Sequence, residues 1–319
     1  MVITASVLFV LKLFAYFLTH SVSILTDALE STVNVVAGVI SLYSLRVAAK
    51  PRDENHPYGH GKAEFLSAAV EGTLMGIAGI VIIIEAINLL LHPRPLHQLD
   101  IGIGIIVLTA VVNYIVGTVC IKQGRKSNSA ALVASGKHLQ TDTISTIGII
   151  IGLILLYFTR INWIDSAVAV LFGVIILYAS YSILRSSVAG IMDEADENLL
   201  ARMIAVINKN RRENWIDLHN LRVIKYGSVL HIDCHLTLPW YLNVSEAHEE
   251  VELLGQLIRE KMADDSIELF VHADGCQTFS CRLCRKTGCY VRQHPFERSV
   301  DWTVSNVVSD KNHRLTPAR

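Results

Sequence analysis

Two pairs of polar residues interrupt long apolar stretches, and each pair is spaced by four: Glu30 with Asn34, and His138 with Asp142. Residues i and i+4 share one face of a helix, so each pair points one way. Carboxylate, carboxamide and imidazole groups supply the oxygen and nitrogen donors that hold divalent metals. Ionisable side chains within a hydrocarbon span are costly, and their presence there marks a functional site. The chemistry read from these residues is a metal ion held between two membrane helices. Asp27, three residues before Glu30, extends the polar stripe and offers a substitute ligand. Interhelical hydrogen bonding would explain Asn34 or Thr32 alone. It does not explain carboxylates and a histidine gathered in two segments.

Other donors cluster elsewhere. Asp53, His56 and His60 fall within eight residues, close enough to fold around one ion. His219, His235, His248 and His272, with Asp274, recur through the C-terminal half and could converge on metal. Cys276, Cys281, Cys284 and Cys289 follow in a C-x4-C-x2-C-x4-C pattern. Four thiols this close suit a tetrahedral zinc or an iron–sulfur site, with a redox-sensitive thiol cluster as the competing reading. Their clustering favours metal ligands in a reducing compartment over a disulfide framework.

The elements that must position these groups follow from hydropathy. The 319 residues are 51% hydrophobic and 18% charged, with mean hydropathy +0.41, too apolar for an ordinary soluble chain. A span needs about 20 apolar residues. Six stretches qualify, at 2–19, 21–48, 65–91, 100–121, 129–158 and 162–184. The first lacks the small-residue cleavage pattern of a signal peptide and is read as a retained helix. Arg46, Lys50, Arg52 and Lys62 surround the loop after the second stretch, and Lys122, Arg125 and Lys126 follow the fourth. The opposite loops hold only Arg94 and Arg160. Basic loops stay in the cytoplasm, which puts both termini there.

Beyond 188 the chain reads as soluble. Apolar residues recur at helical spacing over 193–209, and two alternating runs, 218–226 and 229–238, join at Tyr226-Gly227-Ser228 as a hairpin. A helix runs from Ser245 to about Met262, and 267–272 is a last strand. The order α-β-β-α-β predicts a small ferredoxin-like sheet with two helices on one face. The expected organisation is a six-helix transmembrane domain at 1–188, a cytoplasmic metal-binding domain at 189–274, and a Cys-rich segment with a disordered tail at 275–319; the resemblance described next makes the first a transport domain and the second a dimerisation domain.

Three stretches carry a family resemblance. They are Ser21-Val-Ser-Ile-Leu25 running into Glu30 and Asn34, the loop Asp53-Glu-Asn-His56-Pro-Tyr-Gly-His60-Gly-Lys-Ala-Glu64, and His138-x-x-x-Asp142. Over residues 1 to about 275 the chain resembles the cation diffusion facilitator family. The resemblance implies a homodimeric metal/proton antiporter of the bacterial cytoplasmic membrane, not an enzyme. It assigns Glu30, Asn34, His138 and Asp142 to the transport site and Asp53, His56 and His60 to a peripheral loop site. It assigns His219, His235, His248, His272 and Asp274 to a binuclear site that helps hold the dimer.

The family usually places Asp or His, and then Asp, where this chain has Glu30 and Asn34. Zn2+ is the expected cargo, and the substitution leaves Fe2+, Mn2+, Co2+ or Cd2+ open, because a neutral carboxamide oxygen is a harder, weaker donor. No cofactor is expected; the partners are metal ions, protons and the lipid bilayer. A net charge of −1 argues against nucleic acid. Efflux against a gradient needs an energy source; no GxxxxGK[ST] loop for ATP occurs, and proton exchange fits the residues present. The rivals from other classes are a membrane-anchored metal sensor and an intramembrane metallohydrolase. The second would need a general base, and neither HExxH nor a Ser–His arrangement stands out.

Overall fold

The computed structural model describes residues 2–92, 98–126, 130–161, 163–226, 229–262 and 266–315. Arg94 and the Gly227-Ser228 turn lie outside the described residues. The chain forms two compact units: Met1–Arg46 with Glu64–Val188, and Val47–Ala63 with Ala189–Arg319.

The first unit is helical: α1 (Val2–Thr19), α2 (Val22–Ala48), α3 (Ala63–Leu91), α4 (Leu99–Lys126), α5 (Ala130–Thr159) and α6 (Trp163–Ile191). Among the described residues, α2, α3, Leu99–Gln123 of α4, Gly136–Thr159 of α5, and α6 are long and apolar enough to cross a membrane, and α1 adds the shorter apolar stretch Ser6–Thr19. Their outer faces expose Phe14, Leu42, Ile84, Leu108, Leu155 and Leu171. Apolar surface on this scale marks contact with lipid rather than water. The protein is an integral membrane protein.

Asp165 of α6 fixes where α2 begins. Its Oδ2 accepts from the Val22 amide at 2.8 Å, and its Oδ1 from the Ser21 hydroxyl at 2.7 Å and the Ser23 amide at 3.2 Å. A carboxylate on the unpaired amides of a first turn is a strong cap. The Ser21-Val-Ser motif is therefore a docking point for α6. It sets the register of α2, and with it the depth of Glu30 and Asn34. Between α4 and α5 the spacing is set by glycine. A Cβ on Gly136 would lie 2.6 Å from the Gly117 carbonyl oxygen, and one on Gly117 2.8 Å from that of Gly136. Only hydrogen at both positions allows this approach, two residues before His138.

The second unit contains α7 (Glu197–Lys209), β1 (Asp217–Tyr226), β2 (Val229–Leu238), α8 (Val244–Lys261) and β3 (Ser266–Gly275). Asp196 caps α7 through the Leu199 amide, and Asn243 with Glu246 forms a reciprocal capping box on α8. The sheet order is β1-β2-β3, with β2 antiparallel to β1 and parallel to β3. The crossover through α8 makes the parallel pair. The core joins Leu200, Met203 and Ile207 of α7 to Leu218, Ile232 and Leu236 of the sheet and Leu254 and Ile258 of α8.

The structure corrects the expectation of a disordered tail within 275–319. A short α9 (Val304–Val307) follows Trp302, and both Trp302 and Val307 belong to the domain core. Arg211 stacks on the Trp302 ring at 3.8 Å, and Asn208 Nδ2 donates to the Trp302 carbonyl at 2.6 Å. The Asn220 amide donates to the Ser309 carbonyl at 2.8 Å, and His313 Nδ1 meets Asp217 Oδ1 at 2.6 Å. Few apolar residues suffice here because one large indole fills the gap against α7.

Candidate functional site

Four groups of donors can be followed from their elements. In the membrane unit, Asn34 of α2 donates through Nδ2 to Asp142 Oδ2 of α5 at 3.0 Å. His138 Nε2 lies 3.7 Å from the same oxygen, one turn away on α5. Glu30 is half-buried one turn before Asn34. The two spaced pairs thus do meet across α2 and α5.

Asp27 is engaged elsewhere. It is buried, and its Oδ1 accepts from Lys12 Nζ of α1 at 2.9 Å and from the Thr146 hydroxyl of α5 at 2.8 Å. Lys12 also donates to the Ser31 hydroxyl at 2.9 Å. The structure thus gives Asp27 an ammonium partner where the sequence offered it as a metal ligand. Lys12 is the residue that sequence reasoning missed. The signal was present: it is a lone ammonium inside the apolar run 2–19, where a buried charge calls for a partner.

The loop after α2 holds the second group. Asp53 Oδ1 accepts from the amides of Asn55 at 3.0 Å and His56 at 2.7 Å, closing a side-chain turn. That turn brings His56 Nδ1 to 3.0 Å from Asp53 and His60 Nε2 to 3.3 Å. Gly59, at φ +91°, allows the reversal that returns His60. The His56 hydrogen bond is the main influence holding the Asp53 carboxyl below its usual range, so it stays ionised as a ligand must. Tyr58 packs edge-on against His231 at 5.5 Å, Arg52 pairs with Glu268, and Lys62 Nζ meets Asp193 Oδ2 at 2.8 Å. The loop is thereby fastened to the sheet of its own unit.

The third group is created by strand register. His219 of β1 pairs with His235 of β2, and His235 pairs with His272 of β3, so three histidines stand in one row across the sheet. Asp274, two residues beyond His272, shares its face. Its carboxylate lies 3.5 Å from His219 Nε2, 3.1 Å from His235 Nδ1 and 3.2 Å from His272 Nε2. Burial pushes the His219 imidazole down, against the pull of Asp217 and Asp274, favouring the neutral ligating form. His248 stands apart, exposed on α8, and among the described residues no ion pair or ring contact joins it to this row. Groups of three His, Cys, Asp or Glu donors within 4.8 Å of one another occur at Asp53–His56–His60 and at His219–His235–Asp274.

The fourth group is the tail cysteines. Cys276, Cys281, Cys284 and Cys289 all line one small cavity and are unpaired thiols, though no three sulfurs meet the 4.8 Å distance. Burial is the first cause of the raised Cys276 and Cys284 thiols. Cys234, pushed up to about 12 by burial in the sheet core, is an inert core thiol.

The chain is similar to known proteins over nearly this whole architecture. Residues 1–192 match the cation efflux transmembrane domain, and residues 195–276 match the cytoplasmic domain of cation efflux proteins. An uncharacterized transporter of Synechocystis sp. is 32% identical over 257 residues, 81% of this chain and 83% of its own length. The cation-efflux pump FieF of Pectobacterium atrosepticum is 29% identical over 273 residues, 85% of this chain and 89% of its own. That of Yersinia pestis is 28% identical over 276 residues, again 85% and 89%. Cys281, Cys284 and Cys289 lie beyond the matched cytoplasmic domain.

Proposed function

This chain belongs to the cation efflux, or cation diffusion facilitator, family of membrane transporters, and on that premise we propose that it exports a divalent metal ion from the cytoplasm in exchange for protons, with Zn2+ the foremost cargo. The observation that carries the reading is the Asn34–Asp142 contact between α2 and α5, with His138 beside it. Interhelical hydrogen bonding would account for Asn34 alone, but a carboxylate, an imidazole and Glu30 gathered with it inside apolar helices suit a cation.

Charge supports a dication. Lys12 offsets Asp27, so Glu30 and Asp142 leave two negative charges at the site once His138 is neutral. A divalent ion neutralises them. Asn34 spends its amide on Asp142 in this state; turning the carboxamide would present its carbonyl oxygen to an ion. Glu30 and Asn34 give the ion a weaker field than paired aspartates would, which keeps Fe2+, Mn2+, Co2+ and Cd2+ as alternative cargoes.

Protons supply the coupling. Metal binding needs a neutral imidazole and ionised carboxylates, so protons compete with metal for the same atoms. Protons entering from outside would displace the ion, and the helices would return to face the cytoplasm by rocking about the site. The basic residues Arg46, Lys50, Arg52 and Lys62 favour a cytoplasmic loop after α2 and cytoplasmic termini. The His219–His235–His272 row with Asp274, joined by His248 of either protomer, would bind cytosolic metal and tighten a homodimer. Asp53, His56 and His60 would hold a further ion.

The test is flux in proteoliposomes across Zn2+, Fe2+, Mn2+, Co2+ and Cd2+ with internal pH recorded. Metal movement with opposite proton movement is expected. Flux that ignores an imposed pH gradient would replace the antiporter by a passive channel.

A further inference from the structure

Residues 276–289 take no part in the transport reading, yet they gather four thiols around one cavity. Cys276 follows β3 directly, and its amide donates to the Leu238 carbonyl at the end of β2 at 2.8 Å. Cys281 lies near the end of the short 3-10 turn Thr278–Arg282, and Cys284 lies two residues beyond it. Cys289 closes the ring after a further loop. The cavity's interior of about 10 Å³ holds about one water-sized sphere. It excludes an organic ligand and suits a single ion.

Two further observations bear on what that ion is. Arg292 and Lys286 line the same cavity. The Arg292 guanidinium donates to the carbonyls of Cys281 at 2.8 Å, Cys284 at 3.1 Å and Lys286 at 2.6 Å. One side chain thus sets the backbone that presents both cysteines of the Cys-x2-Cys turn. Lys286 Nζ donates to Asn214 Oδ1 at 2.6 Å. Four neutral thiols have no use for two cations at close range. A dication held by four thiolates carries a net charge of two minus, which these two side chains offset. The buried Tyr241 hydroxyl, which has no hydrogen-bond partner, lines the same cavity as the four cysteines. A hydroxyl there can donate to a metal-bound thiolate.

We infer that Cys276, Cys281, Cys284 and Cys289 form a structural tetrahedral site for Zn2+, separate from the transported ion, that fastens the C-terminal extension to the sheet of the cytoplasmic domain. Zinc prefers a closed shell of four such ligands. Cysteine sulfurs swing between staggered rotamers without backbone movement, which is the adjustment that brings the four around one ion. The bound ion links the end of β3 to the loop at Cys289. The extension beyond then returns Trp302 to the core. Binding releases the thiol protons and adds its free energy to folding of this segment.

The test uses the full-length protein in detergent, reduced and stripped of metal, with Co2+ as the probe. Histidine and carboxylate sites give no thiolate-to-cobalt charge-transfer absorption, so that band reports this site alone. The expected result is a near-ultraviolet charge-transfer band that Zn2+ abolishes, retained in His235→Ala and lost in Cys281→Ser with Cys284→Ser. In wild-type protein, Zn2+ should also slow reaction of the tail thiols with Ellman's reagent about tenfold or more, since a metal-bound thiolate is no longer a free nucleophile. That second measurement needs no variant to fold. Thiols that react equally fast with and without Zn2+, and no charge-transfer band, would overturn the site. Iron–sulfur absorption in anaerobically isolated protein would overturn zinc as its metal.

Discussion

Lys12 of α1 and Asp27 of α2 form an ion pair at 2.9 Å, and both side chains are almost wholly buried. The pair sits one turn from Glu30 and accepts a further bond from Thr146 of α5. α1, α2 and α5, the last two carrying the proposed metal quartet, therefore share one charged knot. Removing only one partner strands a charge in the interior, at a cost of about 3–5 kcal/mol. Lys12→Met should lower thermal stability in detergent sharply. Lys12→Met with Asp27→Leu should recover much of that loss, because it removes both charges together. If the single and double variants melt alike, the pair does not hold the helices.

The quartet itself yields the next outcome. Asp142 makes polar contact with both Asn34 and His138. Asp142→Ala should abolish metal flux in proteoliposomes while leaving gel-filtration behaviour and helix content unchanged. Flux at the wild-type rate in that variant would move the transport site elsewhere.

In the proposed transport site, Asn34 sets the field on the ion. Its carboxamide does not ionise, and Asn34→Asp adds a carboxylate. Zn2+ should bind more tightly in that variant and leave more slowly, so turnover falls while half-saturation shifts to lower Zn2+. Competition assays across Zn2+, Fe2+ and Mn2+ would show it. An unchanged preference in Asn34→Asp combined with Glu30→Asp would assign selectivity to other residues.

How much of this was legible in the sequence depended on whether a group's neighbours were local. The spans, the strands of the small sheet and the Asp53–His56–His60 turn all follow from periodicity or short spacing. The turn is closed by Asp53 bonding amides two and three residues on. His219, His235 and His272 were read as histidines that could converge, and the family resemblance joined them in one site, but their alignment in one row needed the parallel register of β2 and β3, which no local spacing shows. Lys12 read as part of an apolar stretch, since its partner lies 15 residues away on another helix. Trp302 lay in a stretch without periodicity, and one indole carries its packing. His248 was grouped with the other histidines by residue type and by the family resemblance, and it is exposed on α8.

Trp302 offers a stability test of the extension. It is 2% exposed and packs in the core with Arg211 stacked on its ring. Trp-to-Ala changes in cores cost about 3–5 kcal/mol. Trp302→Ala should loosen residues 296–315, seen as faster proteolysis there and faster amide exchange in α7. Exchange in α1–α6 should stay the same. Protection in the extension that survives Trp302→Ala would mean that the contacts of Ser309 and His313 hold it without the indole.

The histidine row makes the final prediction. His235 stands at its centre, paired in register with both His219 and His272, and 3.1 Å from Asp274. An ion held by the His219–His235–Asp274 group uses His235. His235→Ala should therefore lower the zinc bound per chain, weaken zinc-dependent dimerisation and remove any activation of transport by cytosolic metal. His248 separates two arrangements. If it ligates in the dimer, His248→Ala should weaken zinc-dependent dimerisation while leaving part of the zinc bound through His219, His235 and Asp274. The measurement is zinc stoichiometry and dimer dissociation for both variants in the full-length protein with the tail cysteines intact. Dimerisation that ignores zinc in the wild type would leave the domain as a structural clamp and its histidines without this role.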